Sequence, residues 1–140
     1  MWVTEVTGHS SAGPELVFAV LAEPERWAEW NEGVLRVEMD GPFAAGTHAV
    51  MVLPDETALP FTFAWVEEGK GFEDVTPVPD AGAVVRVRHE LAAVEGGTRI
   101  TYRCEVDGPD EVAAEVGPMV SGDFAEVIAA LAARAEERRG

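Results

Sequence analysis

The sequence predicts an α+β domain in which antiparallel strands form one sheet and a long amphipathic helix follows them. Three observations support this prediction. Strand-like runs separated by turn residues follow one another closely through residues 34–107, and such short spacing favours hairpins over crossover helices. A first strand and two short helices come before them. In the last thirty residues the apolar positions change to a period of three to four.

The N-terminal elements are marked by alternation and by two prolines. Residues 2–8 (WVTEVTG) alternate as a first strand. Pro14 stands at a first helical position, and apolar residues follow it at helical spacing. Pro24 begins a second short helix, which we predict to end near Asn31.

The remaining elements are six strands and the final helix. The predicted strands cover residues 34–40, 46–53, 60–67, 70–77, 83–94 and 98–107. The helix is predicted from one apolar stripe formed by Val116, Val120, Phe124, Val127, Leu131 and Ala135. Because proline cannot donate a backbone hydrogen bond, we expect a kink or break at Gly117–Pro118, with Ser121 or Asp123 capping a restarted helix.

The last two strands, AVVRVRHELAAVEGGTRITYRCEVD at residues 83–107, read as a hairpin that turns at Gly96–Gly97. This register predicts three opposite-charge pairs on the outer face, which are Arg86 with Asp107, Arg88 with Glu105 and Glu90 with Arg103. On the inner face it places His89 opposite Cys104. A histidine among inward apolar positions needs a hydrogen-bond partner, which a ligand or a trapped water could supply.

Composition limits the classes of partner. The chain has the length of a single domain, residues 1–140, and its formal net charge of -16 disfavours nucleic acid and anionic membrane surfaces. The single cysteine excludes an internal disulfide. No secretory signal and no apolar run long enough to cross a bilayer is visible. We therefore expect a cytoplasmic protein without membrane insertion, whose oligomeric state the sequence does not determine.

Three stretches carry a resemblance to a known superfamily. They are PERWAEWNEGV after the first helix, GPFAAGT at the start of a strand, and GPMVSGDFAEVIAALAARAE in the C-terminal helix. Together with the element order, they resemble the helix-grip proteins of the START-related SRPBCC superfamily, which includes the bacterial polyketide cyclase/dehydrase proteins. The resemblance implies a curved seven-stranded antiparallel sheet around the long C-terminal helix, with a cavity between the two.

Inward side chains of the strands and one side of the helix would line that cavity. The candidate ligand-binding residues are Trp30, Met51, Phe61, Phe63, Trp65, Phe72, His89, Leu91, Tyr102, Cys104, Met119, Val120 and Phe124. Large apolar side chains with a few polar groups suit a small hydrophobic ligand, aromatic or polyketide-like, that carries one or two hydrogen-bonding groups. Core packing is the simpler interpretation of each residue taken alone.

His89 is the candidate catalytic residue. Neutral imidazole transfers protons near pH 7, and Tyr102 could donate to a ligand oxygen. A Cys104 thiolate activated by His89 is a second hypothesis, although no third residue that would orient the imidazole is identified. His9, His48 and His89 lie on different strands without zinc-ligand spacing, and the glycines lack the spacing of a phosphate-binding loop. We therefore expect no metal and no cofactor.

Three functions remain open from the sequence. The first is binding of a small hydrophobic molecule without chemical change. The second, which the resemblance implies, is a reaction of the polyketide cyclase/dehydrase type in the same cavity, with His89 as proton shuttle. The third is a protein-interaction module with a closed pocket, which a solid interior would favour. A binder returns its ligand unchanged, whereas an enzyme releases a product whose yield collapses in His89→Ala.

Overall fold

The protein, described by a computed structural model over residues 1–139, has the predicted order of elements. Its strands are β1 Trp2–Ser10, β2 Arg36–Met39, β3 His48–Val52, β4 Ala58–Glu67, β5 Gly71–Val78, β6 Ala83–Val94 and β7 Gly97–Asp107. Its helices are α1 Pro14–Leu21, α2 Asp110–Ser121 and α3 Phe124–Arg139, with 3₁₀ helices at Pro24–Glu29 and Pro79–Ala81.

The seven strands form one curved antiparallel sheet in the order β1-β7-β6-β5-β4-β3-β2. Strands β2 to β7 pair with their neighbours in the chain, whereas β1 crosses the fold to pair with β7. Paired residues point to the same side of a sheet, so the register separates a concave, buried face from a convex, exposed face. With the C-terminal helices on the concave side, this is the helix-grip fold, and the prediction of fold class is confirmed.

Two glycines allow the C-terminal helices to approach β1 closely. A Cβ atom on Gly117 would lie 2.3 Å from the ring of Trp2, and one on Gly8 would lie 2.4 Å from Cγ2 of Ile128. A side chain at either position would overlap its neighbour, so glycine is required where α2 and α3 cross β1. These contacts seat the helices over the end of the sheet formed by β1 and β7.

The C-terminal helix is interrupted after the predicted Gly117–Pro118 site. Helix α2 continues through Pro118, and α3 begins at Phe124. The N–H of Gly122 donates to the carbonyl of Pro118 at 2.9 Å, which satisfies one acceptor at the end of α2. Asp123 contributes its backbone carbonyl to the first turn of α3. The break therefore lies in the two residues that separate the helices.

The register of the β6–β7 hairpin differs from the prediction by two residues. Val94 pairs with Gly97, so the turn is formed by Glu95 and Gly96. His89 consequently faces Tyr102, and the predicted pairing of His89 with Cys104 is wrong. Because side chains alternate with a period of two, this even shift leaves each side chain on its predicted face.

Neighbouring strands explain why the predicted charge pairs do not form. Arg88 faces Arg103, an arrangement that an isolated hairpin would disfavour. Strand β5 supplies Glu73, whose carboxylate lies 3.3 Å from the Arg88 guanidinium, and β1 supplies Glu5, which lies 3.7 Å from that of Arg103. Glu105 adds a contact of 3.1 Å to Arg103. Carboxylates on β5, β1 and β7 thus compensate the facing arginines.

Trp65 lies on the convex face, so its predicted inward orientation is wrong. Phe63 pairs with Asp74 while Trp65 pairs with Glu73, which leaves Ala64 as an extra residue in a β-bulge. The bulge shifts the alternation of β4 by one residue. The Arg88 guanidinium lies 4.3 Å from the centre of the Trp65 ring, an outward cation–π contact.

Arginines near the end of α3 contact the first 3₁₀ helix. Arg134 pairs with Glu29, Arg138 pairs with Glu23, and Arg26 contacts both glutamates. Hydrogen bonding lowers the pKa of both carboxyls, with Arg138 as the main cause at Glu23 and Arg26 at Glu29. These arginines are therefore engaged within the fold.

By length and hydropathy alone, the C-terminal helical segment is apolar enough to cross a membrane. Over Asp110–Arg138 the mean hydropathy of its best window reaches 1.4. Core helices of globular domains have the same property. Here α3 packs against β1 and α1, with Ile128 and Leu131 buried in the contact. We interpret the segment as the core helix of this domain.

Candidate functional site

Ring side chains form a continuous row across the concave face, with neighbouring ring centres between 3.9 and 6.3 Å apart. Strands β4 to β7 supply the floor of the row, and α1, the first 3₁₀ helix, α3 and the β2–β3 loop supply rings that cover it. We call this group the aromatic row; its members are Phe18, Trp27, Phe43, Phe61, Phe63, Phe72, His89, Tyr102 and Phe124.

His89 lies within the aromatic row, and its side chain is only 10% exposed. Its ring stacks on Phe72 at 3.9 Å and meets Tyr102 edge-on at 4.4 Å. Nδ1 lies 3.3 Å from the backbone carbonyl oxygen of Phe72. Because a carbonyl only accepts hydrogen bonds, Nδ1 carries the proton in this contact, and Nε2 of the neutral ring is an acceptor.

Asp74 stands beside His89 on the concave face. Its Oδ2 atom lies 3.9 Å from Nε2 of His89, and its side chain is 15% exposed. The strand register places Asp74 between Phe63 on β4 and Val87 on β6. Burial, reinforced by the charge of Glu73, raises the pKa of Asp74 to about 8.

Burial keeps the Asp74–His89 pair uncharged. It lowers the pKa of His89 to about 3, against the hydrogen bond to Phe72, which acts in the other direction. At pH 7 the imidazole is neutral and most of the Asp74 carboxyl is protonated. The pair therefore presents a proton donor and a proton acceptor 3.9 Å apart without net charge. Such a pair can give a proton to one atom of a ligand and take one from another.

The thiolate hypothesis for Cys104 receives no support from the site. Its side chain is fully buried and paired opposite Val87. Burial, with the nearby charges of Asp74 and Glu105, raises the pKa of the Cys104 thiol to about 11. A thiol of this kind stays protonated at neutral pH and is a poor nucleophile. Burial likewise raises the pKa of the Tyr102 phenol, so Tyr102 remains a hydrogen-bond donor.

Most of the predicted site residues lie in the core. The buried ones are Phe61, Phe63, Phe72, His89, Leu91, Tyr102, Cys104 and Phe124. Those that are half-buried and packed against the core are Trp30, Met51 and Val120. Two residues lie outside this group: Trp65 is on the convex face, and Met119 is 77% exposed. Whether the buried residues bind a ligand stays a prediction.

The sequence analysis did not include Trp27, Phe43 and Asp74 among the candidate site residues. Trp27 stacks on Phe72 at 5.5 Å and donates its indole N–H to the carbonyl of Leu21 at 3.0 Å. Asp74 follows Phe72 by two positions, so strand alternation would have placed both on the same face. Phe43 lies in the β2–β3 loop, where no periodic pattern identifies an inward residue.

Two pockets within residues 1–139 open at the surface, outside the space between sheet and helix, where the expected cavity stays a prediction. One pocket, of about 60 Å³, opens on the convex face among Glu73, Arg86, Arg88, Arg103 and Glu105. The other, of about 380 Å³, opens between the first 3₁₀ helix and the β2–β3 loop. Its walls are formed by Ala22, Glu23, Pro24, Glu25, Arg26, Met39, Gly41, Pro42 and Phe43. Phe43 separates this second pocket from the centre of the aromatic row.

No acidic, histidine or cysteine side chains in the described part of the chain form a group of three or more that could hold a metal ion. The polar side chains of Asp74, His89 and Tyr102 are neighbours on the concave face. All three lie on adjacent strands, β5, β6 and β7, which fixes their relative positions through the sheet register.

Comparison with known proteins places the chain in a family. A family model described as polyketide cyclase / dehydrase and lipid transport matches residues 1–136. The chain belongs to this family. Norcoclaurine synthase from Thalictrum flavum, solved in complex with dopamine and hydroxybenzaldehyde, is similar at a TM-score of 0.78 and 17% identity. The similarity covers 97% of this chain and 87% of that one.

Two other solved structures share the fold of this polyketide cyclase/dehydrase family member. A protein from Thermobifida fusca has a TM-score of 0.80 at 19% identity, over 98% of this chain and 95% of that one. The di-domain ARO/CYC StfQ from the steffimycin biosynthetic pathway has a TM-score of 0.80 at 15% identity. The similarity covers 99% of this chain and 51% of StfQ, so this chain spans about half the length of StfQ. A search of curated proteins found no match.

Proposed function

We propose that this family member binds a small aromatic molecule on the concave face, with its ring against Phe63 and Phe72 and its polar group at Asp74 and His89. The proposal rests on the position of Phe43. This loop residue holds its ring 5.1 Å from that of Phe63 and 5.4 Å from that of Phe72. It thereby occupies the aromatic surface that a ligand ring would use.

Phe43 also lies between this surface and solvent. The pocket of about 380 Å³ on its outer side has the volume of a small-molecule site. If the Phe43 ring turned outwards, this pocket would continue inwards to Phe72 and His89. The ligand ring would then replace the ring of Phe43 in the aromatic row, and the closed interior would be the ligand-free state.

The loop that carries Phe43 is held at its two ends. The N–H of Asp40 donates to His48 at 3.0 Å, and the N–H of Gly46 donates to Phe63 at 2.7 Å. Gly41 and Gly46 have φ values of 147° and 93°. Because glycine adopts such values without steric cost, rotation at these two positions can move the intervening segment as a unit.

Relatives of the same fold support an aromatic ligand. Norcoclaurine synthase is described in complex with dopamine and hydroxybenzaldehyde, which are both small aromatic molecules. StfQ is described as an ARO/CYC of a biosynthetic pathway. Both are similar to this chain in fold, and the ligand of this chain is proposed from its own aromatic row.

Titration with 1-naphthol, a neutral aromatic probe, tests the proposal. The Phe43→Ala variant should bind 1-naphthol about tenfold to a hundredfold more tightly than the unmodified protein does. In the unmodified protein the phenyl ring of Phe43 must become exposed before the ligand binds, and the variant lacks this cost. Calorimetry gives both dissociation constants. Circular dichroism and thermal unfolding establish that the variant is folded, and Phe43→Leu provides a milder replacement.

Phe72→Ala and Trp65→Ala form the matched controls. Adding Phe72→Ala to Phe43→Ala should weaken naphthol binding, because it removes the aromatic floor of the site. Adding Trp65→Ala should leave binding unchanged, because Trp65 lies on the convex face. The proposal would be refuted if folded Phe43→Ala protein did not bind naphthol, or if adding Phe72→Ala did not weaken naphthol binding.

Acid–base catalysis is a second candidate function, favoured by the contact between Asp74 and His89. A protonated carboxyl beside a neutral imidazole can exchange protons with a bound carbonyl compound, as a cyclisation or dehydration requires. Incubation with aromatic β-keto compounds, followed by mass spectrometry, distinguishes catalysis from binding without chemical change. An enzyme yields a product that disappears in Asp74→Asn and His89→Ala, whereas a binder returns the compound intact.

A protein-interaction module is the third candidate, and the packing of the Phe43 ring against Phe63 and Phe72 is the observation that favours it. In that case Phe43 would be a permanent part of the core. Its removal would lower stability without creating affinity for naphthol. The titration above therefore separates this function from ligand binding.

We further propose a cytoplasmic location and no nucleic-acid partner. The free, buried Cys104 is compatible with a reducing compartment, and the formal net charge of -16 opposes contact with phosphate backbones. Fractionation of the producing cells, together with a gel-shift assay at low salt, tests both statements.

A further inference from the structure

The concave face lacks positive charge. On β6 and β7 the arginines alternate with buried residues and point to the convex face, where Arg88 and Arg103 contact glutamates. Arg36 pairs with the exposed Glu38, and Lys70 lies in an exposed turn. The arginines of the first 3₁₀ helix and of α3 whose side chains are described pair with Glu23 and Glu29. No described basic side chain therefore faces the aromatic row.

Asp74 is the one acidic strand residue, within the described part of the chain, that points to the concave face. The other strand carboxyls share the convex side with exposed or half-buried neighbours, as Glu73 does opposite Arg88. A carboxylate or phosphate ligand would meet Asp74 with no cation to balance it, at a high cost in an apolar site.

When the Asp74 carboxyl is ionised, Asp74 and His89 offer two acceptors at a suitable distance for one donor nitrogen. Oδ2 of Asp74 and Nε2 of His89 are 3.9 Å apart, so a single ammonium group can approach both within hydrogen-bonding distance. Phe63 pairs with Asp74 across the sheet and Phe72 stacks on His89, and the faces of aromatic rings attract cations. The acidity of the whole protein, with a formal net charge of -16, also attracts cations from solution.

We propose, resting on the proposed function, that the ligand is an aromatic amine whose ammonium group binds Asp74 and His89 while its ring replaces that of Phe43. On binding, the Asp74 carboxyl releases its proton to solvent and becomes the carboxylate partner of the ammonium ion. No other covalent bond changes. The site thereby selects against carboxylic acids, including fatty acids.

This proton release makes amine binding dependent on pH. The titratable groups that face Asp74 are His89 on β6 and, one strand further, Tyr102 and Cys104 on β7. Strand β4 faces Asp74 with Phe63, which does not titrate, and Glu73 lies next to it on the opposite face. Asp74 alone among them has a pKa, about 8, that lies near neutrality. Amine affinity should therefore rise severalfold to about tenfold for each pH unit between 6 and 8.

Three probes of matched size test the proposal: 2-phenylethylamine, 2-phenylethanol and 3-phenylpropionate. Each is titrated calorimetrically into the unmodified protein and into Phe43→Ala at pH 7.5. We expect the amine to bind at least tenfold more tightly than the alcohol, and the carboxylate to show no binding. Titrations in buffers of different ionisation enthalpy should detect the proton released.

Asp74→Asn is the decisive variant, because asparagine keeps the shape of a protonated aspartic acid. It should remove the preference for the amine over the alcohol and the pH dependence of amine binding. Glu90→Gln is the matched control, because it removes one negative charge from an exposed position on the same sheet. It should leave the preference for the amine in place.

The outcomes distinguish this proposal from the proposed function. If the alcohol or the carboxylate binds as tightly as the amine, or if the preference survives in Asp74→Asn, the amine proposal is overturned and aromatic binding stands. If none of the three probes binds any folded variant, both proposals are overturned.

Discussion

Asp74 and His89 lie on neighbouring strands with Oδ2 of the first 3.9 Å from Nε2 of the second, and burial favours the uncharged form of both. In water near pH 7 these two side chains would be an anion and a largely neutral ring. Within the aromatic row they form a neutral donor and acceptor. The unusual protonation state of Asp74 has consequences for stability as well as for binding.

We predict that the free energy of unfolding decreases as pH rises from 6.5 to 8. Asp74 holds its proton more tightly in the folded chain, where its pKa is raised from 3.8 to about 8, so folding loses stability as pH rises through that range. The pKa of His89 is lowered from 6.5 to about 3, so its contribution to stability is complete above pH 6.5 and is lost towards pH 3. Of these two groups, Asp74 therefore dominates the change above pH 6.5. We expect a decrease of about 1–2 kcal/mol, measured by urea denaturation.

Asp74→Asn is the control for this pH dependence. The variant cannot ionise at this position, so its free energy of unfolding should change less between pH 6.5 and 8 than that of the unmodified protein. Equal slopes in the two proteins would show that Asp74 is not protonated in the fold at neutral pH.

We predict that two tryptophan substitutions lower the free energy of unfolding by unequal amounts. Trp27 is 5% exposed and contacts Phe63 and Phe72, so Trp27→Ala should lower the free energy of unfolding by about 3–5 kcal/mol. Trp65 contacts Arg88 on the convex face, and Trp65→Ala should cost about 1 kcal/mol. Urea denaturation of both variants checks this. Equal costs would contradict the β-bulge at Ala64.

We predict that Gly117→Ala is destabilising only while Trp2 is present. The new methyl group would lie 2.3 Å from the Trp2 ring, so α2 must move away from β1, at a cost of about 1–3 kcal/mol. In a Trp2→Ala background the clash is absent, and alanine, as the better helix former, should stabilise the protein by about 1 kcal/mol. A double-mutant cycle measures both changes. Additive effects would rule out this close contact between α2 and β1.

We predict that the Cys104 thiol reacts slowly with Ellman's reagent in the native protein. The side chain is fully buried, and burial raises the pKa of the thiol to about 11. Labelling at pH 8 should therefore require opening of the sheet and should accelerate by orders of magnitude in 6 M guanidinium. Labelling at the rate of a free cysteine would indicate an accessible thiolate and would return Cys104 to the candidate nucleophiles.

The fold was predictable because it depends on local patterns. Each element of the sheet and each helix has its own periodicity, and prolines mark the starts of two helices, at Pro14 and Pro24. The inward faces of β6 and β7 were also predictable, since an even shift in register preserves them. These properties depend on neighbours along the chain, so one sequence is enough to read them.

The geometry of the site depends on contacts between residues that are distant in the sequence. It was therefore less predictable from the sequence than the fold was. The observed register of β6 with β7 places two arginines opposite each other, and Glu73 and Glu5 on the flanking strands compensate them. The bulge at Ala64 turns the Trp65 side chain to the convex face, and the alternation of residues in β4 does not indicate this bulge. Phe43 enters the core from a loop, where side-chain direction follows backbone turns instead of a period.

The sequence by itself determined the order of elements, the apolar composition of the concave face and the inward position of His89, because strand alternation and helical period are local. Only the tertiary structure brought Asp74 within 3.9 Å of His89 and placed the Phe43 ring over both Phe63 and Phe72. Strand registers and a loop's path set these distances, and both result from the packing of the whole chain, since a bulge elsewhere in the sheet shifts a register by a whole residue.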